Sequence, residues 1–354
     1  MSRQFVRRPA VLAAIALVAV GACAGTTAGV SRALAGGSGP SVPSVRLGYF
    51  ANITHATALV GVGKGIYAEH LGPGVRLETS TFKAGGEVTS ALFSDAIDAA
   101  YVGPIPALNG FTKSGGQALR IVSGSTSGGA FLVVRPGITV DGLSGTKIAT
   151  PQLGNTQDVA LRAWLKERGY RADEFGAGDV SILPQDNAMT LNAFRSGQID
   201  GAWVPEPWAT RLVEEGGAEV LLDERTLWPD GRFATTNLVV SVKFLNAHPD
   251  LVKKLLEGHV AATDFLIANP KEAMAAANNQ IEQITGKRIK DSVLSAAWGH
   301  LEFTTDPLAS TLEAMARDLL GTGLVGEAET AGIYDLRLLN EVLLSLGRPT
   351  ASDR

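Results

Sequence analysis

The chain has 354 residues, 45% of them hydrophobic, with 31 basic against 35 acidic side chains, a length that suits about two domains and a sizeable core. A net charge of −4 speaks against nucleic acid as a partner, since phosphate binding needs a basic face. A single cysteine excludes a disulfide framework and every multi-thiolate metal site, and the five histidines (55, 70, 248, 259 and 300) lack metal-ligand spacing, so neither metal nor cofactor is expected.

The N-terminus reads as a leader. Arg3, Arg7 and Arg8 form a basic start, and residues 10–20 are an unbroken apolar run, too short for a bilayer span but suited to a signal peptide. The run ends in Val20, Gly21, Ala22 and Cys23, the pattern of a lipoprotein signal peptide, and it places the chain's lone cysteine at the residue to be lipidated. The expected mature start is therefore Cys23, with removal of residues 1–22. The competing A-x-A site at Ala33–Ala35 would give a secreted protein instead. Residues 23–44 are mostly Ala, Gly, Ser, Thr and Pro, which cannot bury apolar surface and read as a tether.

From residue 45 the pattern is α/β. Short β-rich runs recur at 45–50, 75–82, 99–102, 119–123, 130–135, 147–150, 180–183, 202–204 and 238–240. Helical patterns lie between them; at 156–168, Val159, Leu161, Ala163 and Trp164 can line one face. Such alternation predicts mixed or parallel sheets covered by helices. After Pro249 the pattern is nearly all helical.

An internal repeat organises this region. Residues 91–102 (ALFSDAIDAAYV) align with 193–204 (AFRSGQIDGAWV) at a constant offset of 102, with six of twelve positions identical. The same offset superposes Thr54 on Thr156 and Leu59 on Leu161. Two similar α/β lobes would face equivalent loops across a cleft, which is a binding geometry.

Several strings resemble a known family. Residues 48–59 (GYFANITHATAL), 82–87 (FKAGGE) and 102–106 (VGPIP) are similar to the first lobe of periplasmic binding proteins for sulfonate, taurine and nitrate. Residues 141–149 (DGLSGTKIA), 151–158 (PQLGNTQD), 196–200 and 203–207 (WVPEP) continue the match, although many members carry Trp-Asp-Pro where this chain has Val204-Pro205-Glu206-Pro207. The resemblance implies a type II two-lobe fold with a ligand cleft. It also implies a role as the extracytoplasmic binding component of an ABC importer, delivering a small-molecule ligand to permease and ATPase subunits.

The expected division is lobe one from 45–135, lobe two from 136–235 and completion of lobe one from 236–354. The expected ligand site joins turns of both lobes. Asn52, Thr54 and His55 follow the first strand and precede a helix; Gly154, Asn155 and Thr156 repeat that arrangement. Helix N-termini bind anions through unpaired N–H groups, although Thr54, Asn155 or Thr156 could equally cap their own helices. Gly85 and Gly86 would admit close backbone approach. Gly103 and Pro104 form the turn equivalent to Pro205–Pro207, at strand ends where open α/β sheets bind ligands. Glu206 could hold an ammonium, as in taurine, or be a solvated turn residue. Trp203 could wall the cleft or be core, and Ser127 could add a hydroxyl or lie in a Gly-rich turn. His70, His248, His259 and His300 read as structural or solvated.

No enzyme motif is present. The thiamine-pyrimidine synthases share the fold but carry a cysteine-rich motif that this chain lacks. A tethered sensor without an importer is a third reading, and nitrate-like anions or other small metabolites are alternative ligands.

Overall fold

The computed structural model describes residues 43–353 except Glu174 and Gly176; the expected leader, Cys23 and all but the end of the tether lie outside the described residues. Strand β1 (Ser44–Phe50) leads into helices α1 (Ala56–Gly63) and α2 (Ile66–Leu71), then β2 (Arg76–Phe82), α3 (Gly85–Phe93), β3 (Ala99–Val102) and α4 (Pro104–Lys113). Strands β4 (Leu119–Gly128) and β5 (Ala130–Val134) follow almost without a break. Next come β6 (Lys147–Thr150), α5 (Thr156–Glu167), β7 (Ser181–Pro184), α6 (Asn187–Arg195), β8 (Gly201–Pro205), α7 (Trp208–Gly216) and β9 (Glu219–Asp223). Strand β10 (Ala234–Ser241) precedes α8 (Val242–Ala247), α9 (Pro249–Ala268), α10 (Pro270–Thr285), α11 (Asp291–Trp298), β11 (Leu301–Phe303), α12 (Ala309–Thr322) and α13 (Arg337–Ser345).

Among the described residues the strands make two sheets, one of six in the order β11-β4-β10-β3-β1-β2 and one of five in the order β7-β6-β8-β5-β9. In each, the first three strands of one repeat copy run parallel, and one antiparallel strand is added beside the third. That strand is β10 next to β3 in the first sheet and β5 next to β8 in the second. The two copies alternate strand and helix in the same order, except that the pair α1 and α2 stands where the second copy has α5 alone, and α3 and α6 start and end at the same 102-residue offset.

The crossover corrects the expected lobe boundary. Strand β5 pairs with β8 and β9, so residues 130–134 belong to the second sheet, and the first segment ends at Gly128 rather than Arg135. Gly128 and Gly129 have φ of +75° and +70°, a left-handed pair that glycine adopts without strain and that turns the chain from one sheet to the other. The expected runs at 119–123 and 238–240 extend to full strands that pair with each other, and β9 and β11 arise where no strand was expected.

Each lobe buries its own core. Leu47, Tyr101, Leu238, Val240, Leu255 and Val260 pack between the first sheet and helices α1, α2 and α9. Helix α9 contributes Leu251, Val252, Leu255 and Leu256 at helical spacing, each burial worth about 1.5–3 kcal/mol. In the second lobe, Trp203 packs edge-on against Trp164, ring centroids 6.0 Å apart, beside Leu161 and Leu165.

Candidate functional site

The parallel strands of both sheets end at a common cleft, and the turns beyond them close a cavity of about 40 Å³. The first lobe supplies Phe50, Asn52, Thr54 and His55 after β1, Lys83 to Gly85 before α3, Gly103 and Pro106 at α4, and Thr235 and Thr236 on β10. The second lobe supplies Pro151, Asn155, Thr156 and Gln157 around the start of α5, Asn187 at the start of α6, and Pro205 at the end of β8.

Four helix N-termini therefore converge here: those of α3, α4, α5 and α6. Only α5 has a side-chain cap, Asn155 Oδ1 accepting from Asp158 N–H at 3.0 Å. The residues before α3, α4 and α6 make no side-chain cap, but Pro104 and Pro106 carry no N–H and leave Ile105 as the one donor among the first three residues of α4, and the Gly86 N–H of α3 is taken by Gln152 Oε1. A helix start exposes unpaired N–H groups and a partial positive charge, so the starts of α3, α5 and α6 present donors to one cavity. Thr156 Oγ1 and Asn187 Oδ1 are buried and have no hydrogen-bond partner among the described residues. Unpaired buried polar atoms cost free energy unless something occupies them, and both belong to residues that line this cavity.

No lining residue is acidic. Lys83 is the one lining cation; it is largely exposed and lies 3.7 Å from Asp186 of the opposite lobe. His55 is held neutral, because burial pushes its imidazole down to about 3. Its Nδ1 accepts the Phe50 N–H at 3.4 Å, which leaves the ring proton on Nε2 as a donor.

The lobes are closed on one another. Trp208 Nε1–H donates to Asn52 Oδ1 at 2.9 Å, Gly86 N–H to Gln152 Oε1 at 3.1 Å, and Asn109 Nδ2–H to Gly154 O at 3.3 Å. Behind the cleft, Lys166 Nζ reaches Gly321 O at 2.8 Å, tying α5 to α12.

Of the expected site residues, Asn52, Thr54, His55, Gly85, Gly103, Asn155 and Thr156 line the cavity. Gly86, Pro104 and Gly154 stand at its border without lining it; Gly86 and Gly154 instead form the cross-cleft bonds above. Three expectations are corrected. Trp203 is fully buried in the second-lobe core, its indole N–H committed to Glu224 Oε2 at 2.7 Å. Ser127 Oγ accepts from Phe233 N–H at 3.1 Å and faces a recess beside the hinge, the crossover between the sheets at Gly128 and Gly129. Glu206 is fully buried and turned away from the cavity, accepting from Thr210 N–H and Thr210 Oγ1–H. His300, read as solvated or structural, meets the same carboxylate at 2.6 Å.

Lining residues that sequence reasoning missed include Asn187, Gln157, Thr235 and Thr236. The repeat could have found Asn187, which stands 102 residues after Gly85. Thr235 and Thr236 lie on β10, outside the repeat, and carry no such mark.

A model of the NMT1-like family matches residues 38–281. A Brucella abortus (strain 2308) protein that bears a binding-protein name is 28% identical over 234 residues, covering 65% of this chain and 69% of its own. The taurine-binding periplasmic protein of Escherichia coli (strain K12) is 26% identical over 198 residues, 56% of this chain and 59% of its own. Among solved structures, the alkanesulfonate-binding protein SsuA of Xanthomonas axonopodis pv. citri, bound to MOPS, superposes with a TM-score of 0.64 at 20% identity, covering 80% of this chain and 95% of its own. The periplasmic nitrate-binding protein NrtA of Synechocystis PCC 6803 gives a TM-score of 0.69 at 17% identity, with 87% and 90% covered. These likenesses establish the fold as that of the two-lobe periplasmic binding proteins.

Proposed function

The chain belongs to the NMT1-like family and is a binding protein rather than an enzyme, and we propose that it captures a small anion outside the cytoplasm for an ABC importer. The observation that carries this reading is the convergence of the starts of α3, α5 and α6, with the unpartnered Thr156 hydroxyl, on a cavity lined by no carboxylate. A helix start contributes up to about 2 kcal/mol toward a partly buried anion. Several such starts, with the Thr156 hydroxyl, offset part of the several kcal/mol that burying one charge costs. Glu206, turned away, offers no partner for an ammonium, which favours a simple anion over a zwitterion.

An aliphatic sulfonate is the first ligand class, supported by the named relatives, and nitrate-like anions are the alternative. Ligand contacts both lobes only when they are closed, so binding shifts the population toward the closed form that permease and ATPase subunits would receive. Lipidation of Cys23 would hold the mature chain at the outer face of the membrane, with residues 24–44 as tether. Mass spectrometry of the solute released from natively purified protein identifies the ligand, and scattering with and without it tests closure. A tightly held cationic or uncharged solute overturns the anion reading.

A further inference from the structure

Glu206 sits where the two lobes meet the hinge. It is fully buried, and Thr210 donates to it twice, from N–H to Oε2 at 3.0 Å and from Oγ1–H to Oε1 at 2.8 Å. Its own N–H donates to Gly129 O at 2.8 Å, on the first crossover. The remaining partner comes from the other lobe: His300 Nδ1 lies 2.6 Å from Oε1. His300 stands between α11 and β11, and β11 pairs with β4 of the first sheet. Its ring packs at 4.8 Å from Phe131, on β5 of the second. Its carbonyl crowds Gly128, where an added Cβ would lie 2.8 Å away.

The same helical turn reaches the cleft. Glu206 grips the start of α7 through Thr210, and α7 opens with Trp208, whose indole bonds Asn52 across the cleft. Residues at the hinge and at the cleft wall are thus fixed by one turn of one helix. Neither Glu206 nor His300 lines the cavity.

From this geometry we infer that His300 and Glu206 form a hinge latch that holds the lobes closed before any ligand contact is made. A hydrogen bond is lost within about an ångström of stretch, so a rotation that carries His300 of the first lobe that far from Glu206 of the second breaks the pair. Opening then leaves a buried carboxylate short of one donor, which disfavours the open form. The latch sets how much of the ligand-free protein is already closed, and hence the fraction competent to retain ligand. The inference rests on the two-lobe trap proposed above but not on the identity of the solute.

The test is X-ray scattering of the ligand-free mature protein as wild type, His300→Ala and His300→Asn. Asparagine Nδ2 can stand where the imidazole Nδ1 stands. His300→Ala is expected to lower the closed-to-open ratio about tenfold and enlarge the radius of gyration, and His300→Asn to restore it. Trp208→Phe, which releases the cleft-side contact, should enlarge the radius in the same direction. A His300→Ala protein that melts earlier yet scatters like wild type makes the pair merely structural and overturns the latch. Compaction of the His300→Ala protein on adding ethanesulfonate or nitrate tests the trap separately, since that variant starts from the open form, so each idea can fail alone.

Discussion

The indole N–H of Trp203 donates to Glu224 Oε2 at 2.7 Å inside the second-lobe core, and the Trp228 indole faces the same carboxyl. Burial pushes this carboxyl up to about 7, against the pull of the Trp203 bond. The folded chain therefore keeps a proton that the unfolded chain has released across the interval from about 4.5 to 7. The group's contribution to stability falls as pH rises through that interval. Glu224→Gln keeps an acceptor for Trp203 and removes the charge. It should stabilise the protein at pH 8, by on the order of 2 kcal/mol, and leave it nearly unchanged at pH 4. Thermal unfolding at the two pH values decides this, and equal shifts at both would remove the buried-charge account.

The first lobe has a counterpart at the repeat-equivalent residue. Tyr101, 102 positions before Trp203, meets His259 Nδ1 at 2.6 Å, and His259 Nε2 lies 3.0 Å from Ser123 Oγ. Burial holds His259 down at about 4 and His55 at about 3. Both lie below the ordinary 6.5, so the unfolded chain binds protons first, and stability is lost as pH falls from about 6.5 toward 4. The melting temperature should fall over that range, and His259→Gln should flatten the fall without abolishing it, since His55 still contributes. A variant whose melting temperature tracks wild type in parallel at every pH would show that His259 is not the titrating group.

What the sequence made legible follows from period and repetition. Offset 102 located both copies of the βαβ arrangement, and Asn52, Thr54, His55, Asn155 and Thr156 came from reading strand ends against helix starts. The repeat was silent on residues outside it, so Thr235 and Thr236 went unseen. It also could not assign β5, because an apolar run of five residues reads alike in either sheet and only pairing decides. The acidic residue in Val204-Pro205-Glu206-Pro207 was visible as a charge near a cleft. Its orientation depended on Thr210 and His300, the latter 94 residues away, and no local pattern carries that.

Gly85 tests whether the start of α3 must approach α4 closely. A Cβ there would lie 2.2 Å and 2.4 Å from two ring carbons of Pro106, and a proline ring yields little. Gly85→Ala should cost about 1–3 kcal/mol through overpacking and weaken ligand binding by displacing the α3 terminus from the cavity. Gly74→Ala, with no heavy atom within 4 Å of the added carbon, is the control and should be nearly neutral. If the two substitutions behave alike in unfolding and titration, the close approach has no consequence.

The ligand class is read most directly through Thr156. Its Oγ1 is buried at the start of α5 and unpartnered among the described residues, so an anion in the cavity is its natural acceptor. A hydrogen bond to a charged group is worth about 1.5–3 kcal/mol, so Thr156→Val, which keeps the shape and loses the hydroxyl, should weaken binding about ten- to a hundredfold. Because Glu206 is bonded to Thr210 and His300 and does not line the cavity, Glu206→Gln should weaken taurine and ethanesulfonate by one common factor, through the hinge alone. Calorimetric titration of both solutes, with nitrate as a third, against wild type and the two variants separates the cases. Selective loss of taurine in Glu206→Gln would return that carboxylate to the ligand and the solute class to zwitterions. Undiminished binding of every solute by Thr156→Val would place the site elsewhere in the cleft.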